Sequence, residues 1–500
     1  MNVLLVTPRL KSMFGDPQAV PGHPHTGMAY LSAFLKSKGV HVEVHEEAFH
    51  ADRSLRTVMR QGDFDLIGVT AFSYSLRYVY ETTERIKQCT STPVVVGGPH
   101  VSVAGASIFK EASVDFAVKH EGEYTLWELL QQITSPQPDY GAVAGVYWKN
   151  GDDIIENTDR PLISDLDSLP YPDYDAYPLE LYPCGRDKEK FLPLITQRGC
   201  PYQCTFCSVP VSMGRLFRPR TPESVLAEVE HWHARGVRHF QINDDVYNID
   251  RKRTNAISDL LIERKLGITY ELYNGIRANT TDRTQLTKMK ASGCTLISFG
   301  LESGDEHVLR YGIKKGLTLE QLQTAVTLAG EVGITHSVNF IVGHPEETYE
   351  AALRSIEFAK QLPANYVNFY NHTPYPNTES WDWVKEHGRI LQPEFLTDVS
   401  YRNDEPIFDT PEFTRQQRKE VLRKGFQLYE RKVLQYRMGR VLGSVAYYLS
   451  RPAVLNRLGR KFVTDNFIGR AVFNWLFFAV RGRPFSGRGG MVVSLDQTET

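Results

Sequence analysis

Residues Gln197-Arg198-Gly199-Cys200-Pro201-Tyr202-Gln203-Cys204-Thr205-Phe206-Cys207 gather three of the chain's six cysteines into one short loop. Cysteine thiolates are soft ligands that favour zinc or iron–sulfur clusters. The spacing Cys-x3-Cys-x2-Cys offers three of them directly after a predicted strand, Phe191–Ile195. A structural zinc site takes four protein ligands in a closed tetrahedron, so zinc here needs a distant His or Cys294 as well. A [4Fe–4S] cluster on Cys200, Cys204 and Cys207 leaves one iron without a protein ligand. Such an iron can bind a cofactor and pass an electron to it. Three unconnected buried thiols are the bland alternative.

Beyond the loop, strand-like and helix-like segments alternate. Further strands are expected at His239–Ile242, Tyr270–Tyr273, Thr295–Phe299, Ser337–Ile341 and Tyr366–Tyr370, which with Phe191–Ile195 make a parallel, incomplete (β/α)6 barrel. The chemistry of such a barrel lies at the carboxyl ends of its strands. Upstream, Val3–Thr7, Val40–Val44, Leu66–Thr70, Val94–Gly97 and Asp115–Val118 alternate with amphipathic stretches such as Gly27–Lys38 and Leu76–Cys89. That pattern predicts a doubly wound α/β sheet. Its strand ends carry Thr70, then Gly97-Gly98-Pro99-His100, then Glu121-Gly122-Glu123, and ligands of such folds sit there. Residues 143–149 and 152–157 flank Asn150-Gly151 and read as a hairpin, followed by a Pro/Tyr/Asp-rich connector. The chain thus divides into a doubly wound domain, 1–140; a hairpin and linker, 141–190; a partial barrel, 191–394; and a mainly helical region, 395–500.

The cysteine loop resembles that of the radical S-adenosylmethionine superfamily, including the aromatic Phe206 before the last cysteine. The resemblance extends over roughly residues 190–380. It implies that the open iron chelates the methionine part of S-adenosylmethionine, and that reduction releases a 5′-deoxyadenosyl radical. Asn243-Asp244-Asp245 resembles the polar segment that binds the cofactor's ammonium group; Asp244 could instead cap the next helix. Ser298-Phe299-Gly300-Leu301-Glu302-Ser303-Gly304 resembles the stretch whose Glu302 and Ser303 meet ribose and carboxylate, against the plainer reading of Ser303 as a helix cap. Asn339-Phe340-Ile341-Val342-Gly343-His344-Pro345-Glu346 resembles the adenine-contacting element, through Ile341 and Gly343, with Asn339 in place of its first glycine. Thr373-Pro374-Tyr375-Pro376-Asn377 resembles the closing turn, and Asn377 tolerates the left-handed backbone that glycine would take there.

The N-terminal domain resembles the cobalamin-binding domain of B12-dependent members of that superfamily, through Thr26-Gly27-Met28-Ala29-Tyr30-Leu31, Leu66–Thr70, Val96–His100 and His120–Glu123. The resemblance implies cobalamin against Thr70, Gly97, Gly98, His100, Glu121 and Gly122, with the glycines admitting close backbone approach. A vestigial scaffold without corrin is the alternative. No Asp-x-His-x-x-Gly loop follows the first strand, so a cobalt-ligating His of that kind is not expected. The implied activity is methylation of an unactivated carbon. The alternatives are a non-methylating oxidative cyclase acting on a tetrapyrrole-type substrate, or a cobalamin-binding sensor without radical activity.

The bulk numbers agree with a multidomain globular protein: 500 residues, 41% hydrophobic, 23% charged and a net charge of -2, which gives no field for nucleic acid. Clustered rather than scattered cysteines, and no signal-like N-terminus, point to a reducing cytoplasm. Expected partners are a small-molecule substrate, pigment-like or lipidic, and an electron donor such as flavodoxin or ferredoxin. After Arg437 the text turns basic and apolar, with Trp475, Phe477 and Phe478 among arginines. It reads either as a peripheral membrane contact or as a helical cap on the barrel.

Overall fold

The computed structural model describes residues 1–9, 21–49, 54–182, 190–393, 395–396 and 405–449. The basic, aromatic stretch from 450 onward, and Cys184, lie outside them.

The first domain is a sheet covered on both faces. Strands β1 (Asn2–Thr7), β2 (His41–Glu46), β3 (Leu66–Thr70), β4 (Val94–Gly97) and β5 (Phe116–Val118) run parallel in the order β2-β1-β3-β4-β5. This is a flavodoxin-like arrangement whose order reverses at β1 and β3. All five residues of β3 are buried, as a strand sandwiched between helix layers requires. Side chains alternate between two cores. Leu4, Val6, Ile67, Val69, Val94 and Val96 pack under α2 (Leu55–Gln61), α3 (Leu76–Lys87) and α4 (Pro99–Ala104). Val3, Leu5, Leu66 and Val95 face α1 (Thr26–Ser37) and α5 (Glu123–Ile133). The hairpin β6 (Val146–Asn150) and β7 (Asp153–Glu156), which the sequence places with the linker, forms instead the antiparallel edge of this sheet.

The connector is fastened to both domains. Asp173 donates its backbone N–H to Ala29 O at 3.0 Å, and its carboxylate accepts from Ser32 Oγ at 2.5 Å and Lys36 Nζ at 2.6 Å. One residue on, the buried Tyr174 donates its hydroxyl to Pro193 O at 2.9 Å.

The barrel strands β8 (Lys190–Leu194), β9 (Val237–Ile242), β10 (Thr269–Ile276), β11 (Cys294–Glu302), β12 (Thr335–Val342) and β13 (Tyr366–Asn371) lie parallel in sequence order. Among the described residues β8 and β13 do not pair, so the barrel is open. After the four-residue α6 (Val209–Ser212), the crossovers run through α7 (Pro222–Ala234), α8 (Arg251–Arg264), α9 (Arg283–Ala291), α10 (Leu319–Val332) and α11 (Tyr349–Gln361). From α7 to α11 each begins with a Thr or Asp whose side chain accepts an orphan backbone N–H, the usual way of starting a helix. Leu192, Phe240, Leu272, Phe299, Val338 and Val367 join the helix-side core. Residues one step away are polar and bond across strands. Ser298 Oγ lies 2.8 Å from Ser337 Oγ, Asn339 Nδ2 donates to Ser298 Oγ at 2.9 Å, and Asn368 Nδ2 donates to Asn339 Oδ1 at 3.0 Å. The chain continues through α12 (Glu379–His387), α13 (Arg415–Met438) and α14 (Arg440–Leu449). Helix α13 closes on β13 so tightly that a Cβ on Gly425 would stand 2.4 Å from the Phe369 ring. Among the described residues no helix is long and apolar enough to cross a membrane.

Candidate active site

The cysteine loop leaves β8 through Gln197–Arg198, which pairs antiparallel with Arg218–Pro219. It turns at Gly199, where φ is +85° and a Cβ would meet Leu216 O at 2.2 Å, so only glycine fits. Further on, Thr205 donates its N–H to Ile313 O at 3.0 Å and its hydroxyl to Gly312 O at 2.6 Å, stitching the loop to the segment after β11. Cys200, Cys204 and Cys207 are half-buried free thiols. Burial pushes the Cys200 and Cys207 thiols up, Cys207 to about 12, and the neighbouring cysteines add to both shifts. Thiols raised in this way ionise where a cationic group holds them, and the soft donor set of the loop fits iron–sulfur. Among the described residues no three Cys, His, Asp or Glu side chains close on a point as ligands of one ion do. Thiolates that each take a different iron of a cube stand wider apart.

The neighbouring strand ends divide into groups that face the site and groups that hold its frame. The buried Asp244 spends its carboxylate on the backbone N–H groups of Thr196, at 2.6 Å, and Gln197, at 3.2 Å. It supports the loop; the adjacent Asn243 and Asp245 line a cavity. Asp245 Oδ2 accepts from Gly199 N at 2.7 Å, and burial raises its carboxyl to about 6. Glu302 sits at φ +77° beside a register shift and accepts from Lys315 Nζ at 2.8 Å. Ser303 points into the scaffold, where its Oγ accepts from Asp305 N at 3.2 Å and lies 3.3 Å from Ser355 Oγ. That is a turn bond rather than a helix cap, since Asp305 Oδ1 accepts from Val308 N at 3.0 Å where the next helix begins. Ile341 is half-buried on β12, and Gly343 follows with φ +104°. Phe206 packs edge-on against His344, with centroids 5.2 Å apart, and His344 is fully buried with neither ring nitrogen hydrogen-bonded among the described residues.

Arg418 is a participant that the sequence reading passes over. It is almost wholly buried, lies 4.2 Å over Phe408 and 4.8 Å over Phe413, and has no hydrogen-bond partner for either terminal nitrogen among the described residues. It falls on the buried row of α13 with Val421, Leu422, Gly425 and Leu428. A charged residue in phase with an apolar stripe was the available signal.

A cavity of about 250 Å³ lies between the two domains. Its N-terminal wall includes Thr70, Gly97, Gly98, Glu121 and Gly122, and its barrel wall includes Ile195, Gln197, Arg198, Asn243 and Asp245. Gly98 has φ +108°, and a Cβ there would meet Ala71 O at 2.9 Å; Gly97 meets no such crowding. His100, expected at the ligand, is turned away instead. It is buried on α4 against Ser73 Oγ at 3.0 Å, outside the cavity lining, and burial lowers it to about 4. A different histidine lines the cavity. His25 caps α1 by accepting Met28 N–H at Nδ1, 3.1 Å, which leaves Nε2 to carry the proton that it donates to Thr70 Oγ1 at 3.0 Å. Burial lowers its pKa to about 4 as well. Nothing in residue spacing marks His25, because its helix-capping role is usually filled by Ser, Thr, Asp or Asn. Glu121 is committed to the other domain. Its Oε1 accepts from Arg198 Nη1 at 2.7 Å, and its Oε2 from Arg218 Nη1 and Ile163 N, each at 2.7 Å. Burial opposes its ionisation, but the two guanidinium groups hold its carboxyl below the usual range.

A doubly wound domain at whose switch point a cavity opens toward a three-cysteine barrel loop defines the class. Residues 19–130 match the B12 binding domain and residues 194–359 the Radical SAM superfamily, and the chain belongs to the cobalamin-dependent radical S-adenosylmethionine enzymes. It is 29% identical over 85% of its length to an uncharacterized methyltransferase of Pyrococcus horikoshii, covering 92% of that protein. It is 27% identical over 75% of its length to the anaerobic magnesium-protoporphyrin IX monomethyl ester cyclase of Rubrivivax gelatinosus, covering 68% of that protein. In fold it is similar to the radical S-adenosylmethionine methyltransferase TsrM from Kitasatospora setae, solved with cobalamin and a [4Fe–4S] cluster. The TM-score there is 0.64 at 21% identity, over 77% of this chain and 74% of that one. The cofactors of the class are a [4Fe–4S] cluster, S-adenosylmethionine and cobalamin.

Proposed function

We propose that this enzyme methylates an unactivated carbon of a small molecule. The observation that carries the reading is the shared cavity: strand ends of the cobalamin domain form one wall, and the residues that lead into Cys200 form the other. Cys200, Cys204 and Cys207 would hold the cluster. Phe206, Glu302, Ile341 and Gly343 would hold S-adenosylmethionine, with Asp245 rather than Asp244 facing it and Ser303 bracing the turn. Thr70, Gly97, Gly98, Glu121 and Gly122 would border cobalamin. When bound, these groups supply a hydrogen-abstracting 5′-deoxyadenosyl radical and a transferable methyl group; the protein supplies position and exclusion of water. Lys315 fixes the Glu302 carboxylate, and the neutral His25 holds Thr70 at the cavity wall. The domain limits at 140, 190 and 394 are part of this reading, except that the hairpin goes with the first sheet.

A second reading, oxidative ring formation on a tetrapyrrole ester, is supported by the cyclase among the relatives. A pigment-like or lipidic substrate suits either, and a flavodoxin or ferredoxin would deliver the electron. Anaerobic reconstitution with hydroxocobalamin tests the cofactor assignment through iron, sulfide and cobalt per chain and through 5′-deoxyadenosine release. Conversion of each cysteine to Ala should abolish iron retention. Product mass then separates the outcomes: a gain of one CH2 supports methylation, and loss of hydrogens supports the cyclase reading.

A further inference from the structure

Arg198 occupies two structures at once. Its side chain lines the interdomain cavity, lies 5.1 Å over the ring of the cavity residue Tyr30, and bonds Glu121 Oε1 at 2.7 Å and Glu123 Oε1 at 2.8 Å. Its backbone leads directly into Gly199 and Cys200, and Gly199 N is held at 2.7 Å by Asp245, also in the cavity wall. Glu121 completes the set, since it lines the same cavity and also binds Arg218. A ligand settling against Tyr30, Glu121 and Arg198 therefore touches the side chains that fix the backbone immediately before Cys200. The network is buried and closely matched in charge, two guanidinium groups against Glu121 and Glu123, so displacement of one member is felt by the rest.

We propose that Glu121 and Arg198 are positioning residues that transmit occupancy of the interdomain cavity to the cysteine loop, so that cobalamin on one domain settles the backbone presenting Cys200 on the other. This coupling rests on the assignment of the three cysteines to the cluster and of the cavity to cobalamin. Coupling between sites is mutual, so cobalamin also binds more tightly to the cluster-loaded protein than to the cluster-free one.

The test is anaerobic hydrogen–deuterium exchange of the cluster-loaded enzyme with and without hydroxocobalamin, with iron and cobalt measured on the same samples. In the wild type, amides from Thr196 to Cys207 slow by about fivefold when cobalamin binds. In Glu121→Gln, and in Arg198→Lys, which cannot span both glutamates, hydroxocobalamin is raised until measured cobalt matches the wild type, and at that equal occupancy the slowing is lost. A corrin that merely covers the loop would slow exchange equally in the variants, and that result overturns the coupling. So does a wild-type loop that exchanges identically in both states with both cofactors present, a comparison that stands even where a variant fails to fold. Iron or cobalt absent from the reconstituted wild type overturns the cofactor assignment itself, and the coupling with it.

Discussion

The guanidinium of Arg418 occupies the space that a side chain on Gly343 would need: a Cβ at Gly343 would stand 2.1 Å from Nη1. The C-terminal helix thereby presses a cation onto the turn after β12, which already requires φ +104°. Both facts exclude any residue larger than glycine. Gly343→Ala should lower stability by about 2–4 kcal/mol through strain and overpacking, and weaken S-adenosylmethionine binding. Urea unfolding and calorimetric titration check the two effects, and an unchanged unfolding midpoint would refute the account.

Arg218 is a nearly inaccessible guanidinium that bonds Glu121, Ile163 O at 2.7 Å and Met213 O at 2.9 Å. Arg218→Met removes one partner of a buried charge pair and should cost about 3–5 kcal/mol. Because the lost bond to Glu121 joins the domains, thermal unfolding should broaden or split into two steps. A single transition at the wild-type temperature would count against the lock.

His100 titrates as a buried base. Its folded pKa is lowered to about 4 from 6.5, so on acidification the unfolded chain takes up the proton first. The stability that the neutral ring contributes is present above pH 6.5 and falls away as pH drops toward 4, by about 1.4 kcal/mol per pH unit. His100→Gln lacks this term. The stability gap between wild type and variant should therefore narrow by about 2 kcal/mol from pH 6.5 to pH 5, measured by urea unfolding across that range. A constant gap would show that His100 is not protonated differently in the two states.

Asn339 stands where the adenine-contacting element that this stretch resembles has a glycine, and here it is the middle rung between Ser298 and Asn368. Asn339→Gly should lose about 1–2 kcal/mol by removing the hydrogen bonds to Ser298 Oγ and from Asn368 Nδ2 and by adding backbone freedom. Because the change restores the more common residue, 5′-deoxyadenosine formation should persist. Its abolition would assign Asn339 a direct role instead.

The fold was legible because its signals are local. Each barrel strand reads as a short apolar alternation; pairing prolongs most of them, as Ser337–Ile341 within Thr335–Val342, while the first is shifted one residue, from Phe191–Ile195 to Lys190–Leu194. The cysteine loop and the elements around Glu302 and Gly343 are likewise contiguous in sequence. What escaped depends on distant partners. Glu121 reads as a ligand at a strand end, yet Arg198, 77 positions away, claims its carboxylate. Asp244 and Asp245 are indistinguishable as text, and only the turn after β8 decides which faces inward. His25 acts through burial that no spacing announces, whereas Arg418 shows only as a charge in phase with an apolar helical stripe.

The connector through Asp173 and Tyr174 is sewn to α1 on one side and to the Pro193 carbonyl on the other, and so behaves as a rigid strut. Any opening between the halves has to pivot on this connector or break its bonds. A corrin that meets the finished protein has this barrier to overcome, whereas one present during folding is enclosed as the halves meet. Cobalamin supplied during synthesis should then load far more completely than cobalamin offered to the finished protein.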